Sequence, residues 1–188
     1  MNKTSDYIEF DIVLNKGFKL LKDKKQCKIG FYIIFSVNSG LRVSDILTIK
    51  HNDLINDNLL INEMKTKKDR LITLNDNIKK GYKVLLETLK ENNVEVKGED
   101  FVFTSQKNEV YKTQSINVIL KSLFPYKNIQ VSTHSLRKSF ARRIYSNNNE
   151  SENSLVLISD IFSHSSISIS RRYLGIRKES IQDIYLNL

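Results

Sequence analysis

Apolar residues recur along this chain with a helical period, lose it once, and then regain it. Leu14, Phe18 and Leu21 fall three or four apart and predict a helix over about Phe10–Asp23. Cys27–Val37 is apolar nearly all round and predicts a buried helix. Ser39-Gly40 breaks the chain, and a short helix started by Ser44 or Asp45 is expected next. Then the period changes. Leu59–Lys65 and Leu71–Leu74 are short strand-like runs separated by the polar stretch Thr66–Arg70, with a turn signal upstream at Asn56-Asp57-Asn58. Together they predict a small antiparallel meander over Asp53–Leu74.

Helical spacing returns at Ile78, Tyr82, Leu85, Leu86 and Leu89, behind an Asn75/Asp76 cap. Phe101–Phe103 reads as a short extended piece. Ile116, Ile119, Leu120 and Leu123 predict a further helix with Thr113 as cap and Pro125 beyond its end. Leu136, Phe140 and Ile144 mark another, capped by Ser132 or Thr133; Leu155, Ile158, Ile161 and Phe162 mark the last long one. Ser146–Ser154 is a surface loop between the two. The order of elements is that of a mainly helical α+β domain with one small sheet near its first third.

Composition adds one fact to this picture. The chain has 30 Lys and Arg against 21 Asp and Glu, a formal charge of +9, which favours a polyanionic partner such as nucleic acid. The lone cysteine, Cys27, excludes an internal disulfide and a Cys-based zinc cluster, and reads as a core thiol. The N-terminal segment carries Asp6 and Glu9 and lacks the apolar stretch of a signal peptide. Ile29–Val37 is too short to span a bilayer. A reducing, cytoplasmic location and no membrane association are expected.

A few polar residues are left unexplained by helix periodicity. His134 and Arg137 stand at i and i+3, on one face beside a helix N-terminus whose free N–H groups suit a phosphate and disfavour protonating the imidazole. The same pair would also fit the surface of an amphipathic helix. Arg42 lies between a buried helix and the next turn, where its guanidinium can be held rigidly and oriented by Asp45; a plain Arg42–Asp45 ion pair fits equally. Lys65 ends one strand-like run, and a lysine at a hairpin mouth can swing into a groove. Lys67, Lys68 and Arg70 could ride on a backbone phosphate or form an ordinary solvated turn. His164 and Tyr173 are nine residues apart, about two and a half helical turns. A turn must therefore separate them if their rings are to meet, and Ser165-Ser166 supplies residues for it, with Arg171 and Arg172 beside the tyrosine.

Taken in order, Arg42, Lys65, His134-x-x-Arg137, His164 and Tyr173 resemble the catalytic domain of the tyrosine recombinase (phage integrase) family. SGLRVSDIL is similar to that family's first arginine motif, KTKKDRLITL to its β-hairpin lysine motif, THSLRKSFA to its His-x-x-Arg helix and FSHSSISISRRY to its terminal histidine–tyrosine motif. The resemblance runs from about Phe10 to Gly175. It implies the catalytic-domain fold of that family, α+β and mainly helical, with a small antiparallel three-stranded sheet. It also implies a site-specific DNA recombinase: Tyr173 attacks a scissile phosphodiester and forms a 3′-phosphotyrosyl link, Arg42 and Arg137 grip the nonbridging oxygens, and His164 donates to the phosphate. His134 acts as base or orienter, and Lys65 protonates the leaving oxygen. No metal and no cofactor is expected. The expected partners are double-stranded DNA, further copies of the chain as a dimer or tetramer on DNA, and accessory DNA-binding proteins. A non-catalytic DNA-binding regulator and a type IB topoisomerase-like relaxer remain alternatives.

Two departures accompany the resemblance. Ser163 stands where the family usually has glycine. Residues 1–188 are expected to form a single catalytic domain, because only about nine residues precede the first helix where the family usually carries a core-binding domain. Ile181, Ile184, Tyr185 and Leu188 lie at helical spacing and are expected to dock either on a neighbouring protomer or on their own domain.

Overall fold

Glycine at two facing positions lets the first two helices come together. In the computed structural model, which describes residues 6–127, 129–176 and 185–188, helix α1 (Phe10–Leu21) packs on helix α2 (Cys27–Ser39). A Cβ on Gly30 would stand 2.7 Å from the Gly17 carbonyl oxygen, so only glycine permits this approach. Helix α2 is buried on every side, as its composition predicts: Phe31, Ile33, Ile34, Phe35 and Val37 are fully buried. Helix α4 (Asp76–Glu91) closes over α2, its N-terminus capped by Asn75, whose side chain accepts from Ile78 N at 3.1 Å. Phe103 stacks on Phe31 at 5.7 Å between ring centroids and completes an aromatic centre with Phe35 and Tyr32.

The chain forms two compact units, residues 1–140 and 141–188. The first also holds the short helix α3 (Val43–Ile46), strands β1 (Asn58–Asn62) and β2 (Asp69–Thr73), and helix α5 (Thr113–Leu123). Helix α6 (Thr133–Asn147) begins in the first unit and ends in the second. Helices α7 (Glu152–Phe162) and α8 (Ile167–Leu174) pack together in the second. No helix among the described residues is long and apolar enough to cross a membrane.

The sheet has two strands rather than three. β1 and β2 pair antiparallel, with Leu60 opposite Leu71 and Asn62 opposite Asp69. The start of the expected meander, Asp53–Leu74, lies in a 3-10 helix, His51–Leu54, rather than in a strand. The cause is local: Asp53 Oδ2 accepts from the Lys50 backbone N–H at 2.8 Å and turns the chain before it can extend. Phe101 meets this region only through an isolated bridge to Lys50. Two helix starts also differ from expectation. Thr113 is the first residue of α5 rather than its cap, and Arg42 rather than Ser44 or Asp45 occupies the N-cap of α3.

A buried histidine gives the first unit a pH-dependent stability. His51 is 4% exposed, and its Nδ1 lies 2.9 Å from the Tyr82 hydroxyl. Burial, and then the charge of Lys28, push its pKa below the ordinary imidazole value, against a smaller opposing pull from Asp100. The folded state therefore resists the proton that the unfolded state takes up below about pH 6.5. Stability contributed by neutral His51 is present above that pH and is lost as pH falls through the lower folded value, at about 1.4 kcal/mol per unit of depression. Thermal melting followed between pH 8 and 5 should show this fall, and His51→Gln should flatten it.

Candidate active site

Gly40 organises the first half of the site. It ends α2 in the left-handed region, at φ +61°, and a Cβ there would also collide with the Phe140 ring. Its carbonyl oxygen accepts a hydrogen bond from Arg137 Nη1, across 97 residues of sequence. Arg137 is 5% exposed, held against the chain just ahead of Arg42. The helix that carries it, α6, follows directly on Ser132, whose Oγ accepts from His134 N at 3.2 Å, while Ser135 Oγ accepts from Ser132 N at 3.1 Å. Both ends of the His-x-x-Arg turn are thereby fixed.

Arg42 meets the hairpin through a residue with no place in the motifs. Its Nη1 donates to Glu63 Oε2 at 2.8 Å, and the Glu63 side chain is 2% exposed. The same oxygen accepts from Thr66 Oγ1 at 2.7 Å, and Oε1 lies 3.5 Å from Arg70 Nη1. Burial alone would raise the Glu63 pKa; the hydrogen bonds from Thr66 and Arg42 and the charges of Arg42 and Arg70 outweigh it and hold the carboxyl below its ordinary value. Asp45, fully buried, accepts from Met64 N at 3.0 Å and so pins the base of the turn. Arg70 is half-buried, and its Nη2 donates to Ser39 O at 3.2 Å. Lys65, Lys67 and Lys68 are exposed on the turn between the strands.

His134 stands one helical turn ahead of Arg137. Its pKa is depressed first by crowding of the ring, although part of the side chain is open to solvent, and then by the charges of Arg137, Lys138, Arg42 and Lys65 in turn. Four residues spread over 96 positions of sequence, Arg42 to Lys138, thus add to the burial that disfavours its protonation. A neutral imidazole amid positive charge can accept a proton beside a bound anion.

The second unit holds the remaining pair. α7 ends at Ser163 in the left-handed region, φ +53° and ψ +45°, and α8 begins after the turn at Ser165-Ser166. This reversal sets the His164 and Tyr173 rings 5.6 Å apart between centroids, both edge-on to Phe162 at 5.4 and 5.3 Å. His164 Nδ1 lies 2.9 Å from the hydroxyl of Ser170, which is fully buried, so the ring direction is set. Tyr173 is half-buried; Arg171 and Arg172 are exposed, and Arg171 Nη2 donates to Glu152 Oε1. Glycine takes up the left-handed conformation of Ser163 without a Cβ penalty. Ser163→Gly is therefore expected to stabilise the protein by about 1 kcal/mol, read as a higher denaturant midpoint. Ile181 and Ile184 lie outside the described residues, while Tyr185 and Leu188 are exposed.

Glu63, outside the motifs, and Thr66 and Ser170, inside them but given no role there, are the residues that hold the candidate groups. Among the described residues no group of three His, Cys, Asp or Glu side chains is placed to hold a metal ion.

Fold and residues of this kind define a tyrosine recombinase catalytic domain, and the chain belongs to the phage integrase family, whose model matches residues 15–180. It is 30% identical over 173 residues to a probable integrase/recombinase, YoeC, of Bacillus subtilis (strain 168), covering 90% of this chain and 88% of that one. It is 22% identical over 188 residues to the tyrosine recombinase XerC of Leptospira interrogans, and spans 56% of that protein's length. Among solved structures, it superposes on the XerH site-specific recombinase bound to palindromic difH substrate in a post-cleavage complex. The TM-score is 0.70 at 22% identity, covering 98% of this chain and 53% of that one. The XerA recombinase superposes with a TM-score of 0.67 at 18% identity, covering 100% of this chain and 66% of that one.

Proposed function

We propose that this chain is a site-specific DNA recombinase that cuts and rejoins strands through a 3′-phosphotyrosyl intermediate. The observation that carries the reading is that two guanidiniums from distant parts of the chain are fixed at one loop: Arg137 donates to the carbonyl of Gly40, two residues ahead of Arg42, and Glu63 holds Arg42 at 2.8 Å. Phosphoryl transfer gathers negative charge on nonbridging oxygens, and fixed cations stabilise it. Arg42 and Arg137 are held by Glu63 and by the Gly40 carbonyl, and a guanidinium fixed in this way suits the bidentate geometry of a phosphate.

The Tyr173 hydroxyl attacks phosphorus, and its proton passes to His134. The bond from phosphorus to the 5′ oxygen breaks, and that oxygen takes a proton from Lys65. A Ser170 hydroxyl donating to His164 Nδ1 leaves Nε2–H to bond the phosphate. The tyrosyl ester conserves the phosphodiester, so a 5′ hydroxyl from another strand reverses each step and no ATP is needed. Lys67, Lys68 and Arg172 supply sequence-independent contacts to the DNA backbone. Strand exchange between two duplexes calls for more than one copy of the chain on DNA. Residues 1–188 act as one catalytic domain, and the exposed Tyr185 and Leu188 belong to a tail that docks either on a neighbouring copy or on its own domain.

The test is cleavage of a nicked duplex carrying the target site, followed by supply of a second site. A recombinase yields an SDS-resistant protein–DNA adduct and then recombinant strands. A topoisomerase-like relaxer yields the adduct alone, and a regulator yields a gel shift with no adduct. Either of the last two results would overturn the proposal.

A further inference from the structure

We propose that Glu63 is a positioning residue for strand cleavage: one buried carboxylate ties the phosphate-gripping Arg42 to the turn that carries Lys65, so that both cations meet the DNA as a single rigid unit. The inference rests on the recombinase reading above.

Three observations support it. Glu63 Oε2 is shared: it receives Arg42 Nη1 at 2.8 Å and Thr66 Oγ1 at 2.7 Å, so a shift of the turn moves the guanidinium as well. The main chain of Glu63 closes the same turn from both sides, its N–H donating to Lys68 O at 2.9 Å and its carbonyl accepting from Lys67 N at 2.8 Å. Lys65 therefore sits between Glu63 and Thr66 on a loop clasped at both ends. Finally, the turn is braced against the chain on both sides of Arg42, by Arg70, which reaches Ser39 O ahead of it, and by Asp45, which holds Met64 N from just beyond it.

The chemistry explains why such a clasp matters. An exposed lysine explores many rotamers, and its backbone anchor is what limits where the ammonium can go. Arg42 must bond a nonbridging oxygen while Lys65 reaches the bridging 5′ oxygen of the same phosphate. A relative displacement of ~1 Å between two such groups costs on the order of 100-fold in rate. Glutamine at position 63 keeps the shape but cannot satisfy Arg42 and Thr66 with a full negative charge.

The test uses two target-site substrates: an ordinary phosphodiester, and one with sulfur replacing the bridging 5′ oxygen. A thiolate leaves without protonation, since a thiol's pKa is about 8.5, so the second substrate bypasses Lys65 but still needs Arg42. Glu63→Gln is expected to slow adduct formation on the phosphodiester by at least ~50-fold and on the sulfur substrate at least ~5-fold less. Should Glu63→Gln fail to fold, Thr66→Val removes one arm of the clasp; it is expected to slow the phosphodiester ~10-fold and leave the sulfur substrate near the wild-type rate. Equal slowing of both substrates, or wild-type rates on both, overturns the positioning role. A wild-type protein that forms no adduct with either substrate refutes the recombinase reading, and this inference with it.

Discussion

Replacing Tyr173 with phenylalanine is expected to abolish the covalent protein–DNA adduct, at least ~10⁴-fold below the wild type, while retention of target DNA in a gel shift stays unchanged. The two halves of this expectation have different causes. The phenyl ring preserves the edge contacts to Phe162 and His164, which hold α8 against the end of α7. Folding and binding should therefore survive. In the proposed reaction the hydroxyl is the nucleophile, and no water can replace it in forming an ester to the protein. If the variant still produced the adduct, another residue would be the nucleophile.

The second large effect is at Arg137. Arg137→Lys keeps the positive charge but replaces the planar fork with a single ammonium. It cannot both reach Gly40 O and bond a phosphate oxygen along the directions the guanidinium commands. Losing one such fixed donor to transition-state charge costs about 100- to 1,000-fold in strand cleavage. Binding should change little, because the chain's net charge of +9 supplies attraction to the phosphate backbone that does not depend on one residue. Cleavage and binding are measured on the same duplex at one salt concentration. Equal losses in both would mean that Arg137 serves affinity rather than the reaction.

Much of this architecture was legible because periodicity reports burial. The all-round apolar character of Cys27–Val37 announced a central helix, and Asn75 before an amphipathic stripe announced a cap that forms as expected. The His-x-x-Arg spacing and the turn required between His164 and Tyr173 were legible for the same reason, since helical geometry constrains both. The sheet was over-read. Asp53 opens the stretch expected to form the meander, but its side chain captures the Lys50 N–H and makes a 3-10 turn, a competition that period-2 patterns do not register.

Glu63 was invisible for a different reason. In the sequence it is one more polar residue at the end of a strand, and its partner Arg42 lies 21 positions away. Only the folded chain makes it a buried carboxylate between two guanidiniums. Ser170 was hidden among the serines of a Ser-rich stretch, and its full burial against His164 depends on the reversal at Ser163. Motifs mark the groups that face the substrate; the residues that hold those groups answer to distance in space.

The most direct test of the account is to trap the adduct on a nicked target site, digest it with trypsin and nuclease, and sequence the modified peptide by mass spectrometry. The account predicts a nucleotide joined through its 3′ phosphate to Tyr173, in the tryptic peptide YLGIR, with a free 5′ hydroxyl on the released strand. A phosphate carried by any other side chain, or one attached through the 5′ end, would contradict it.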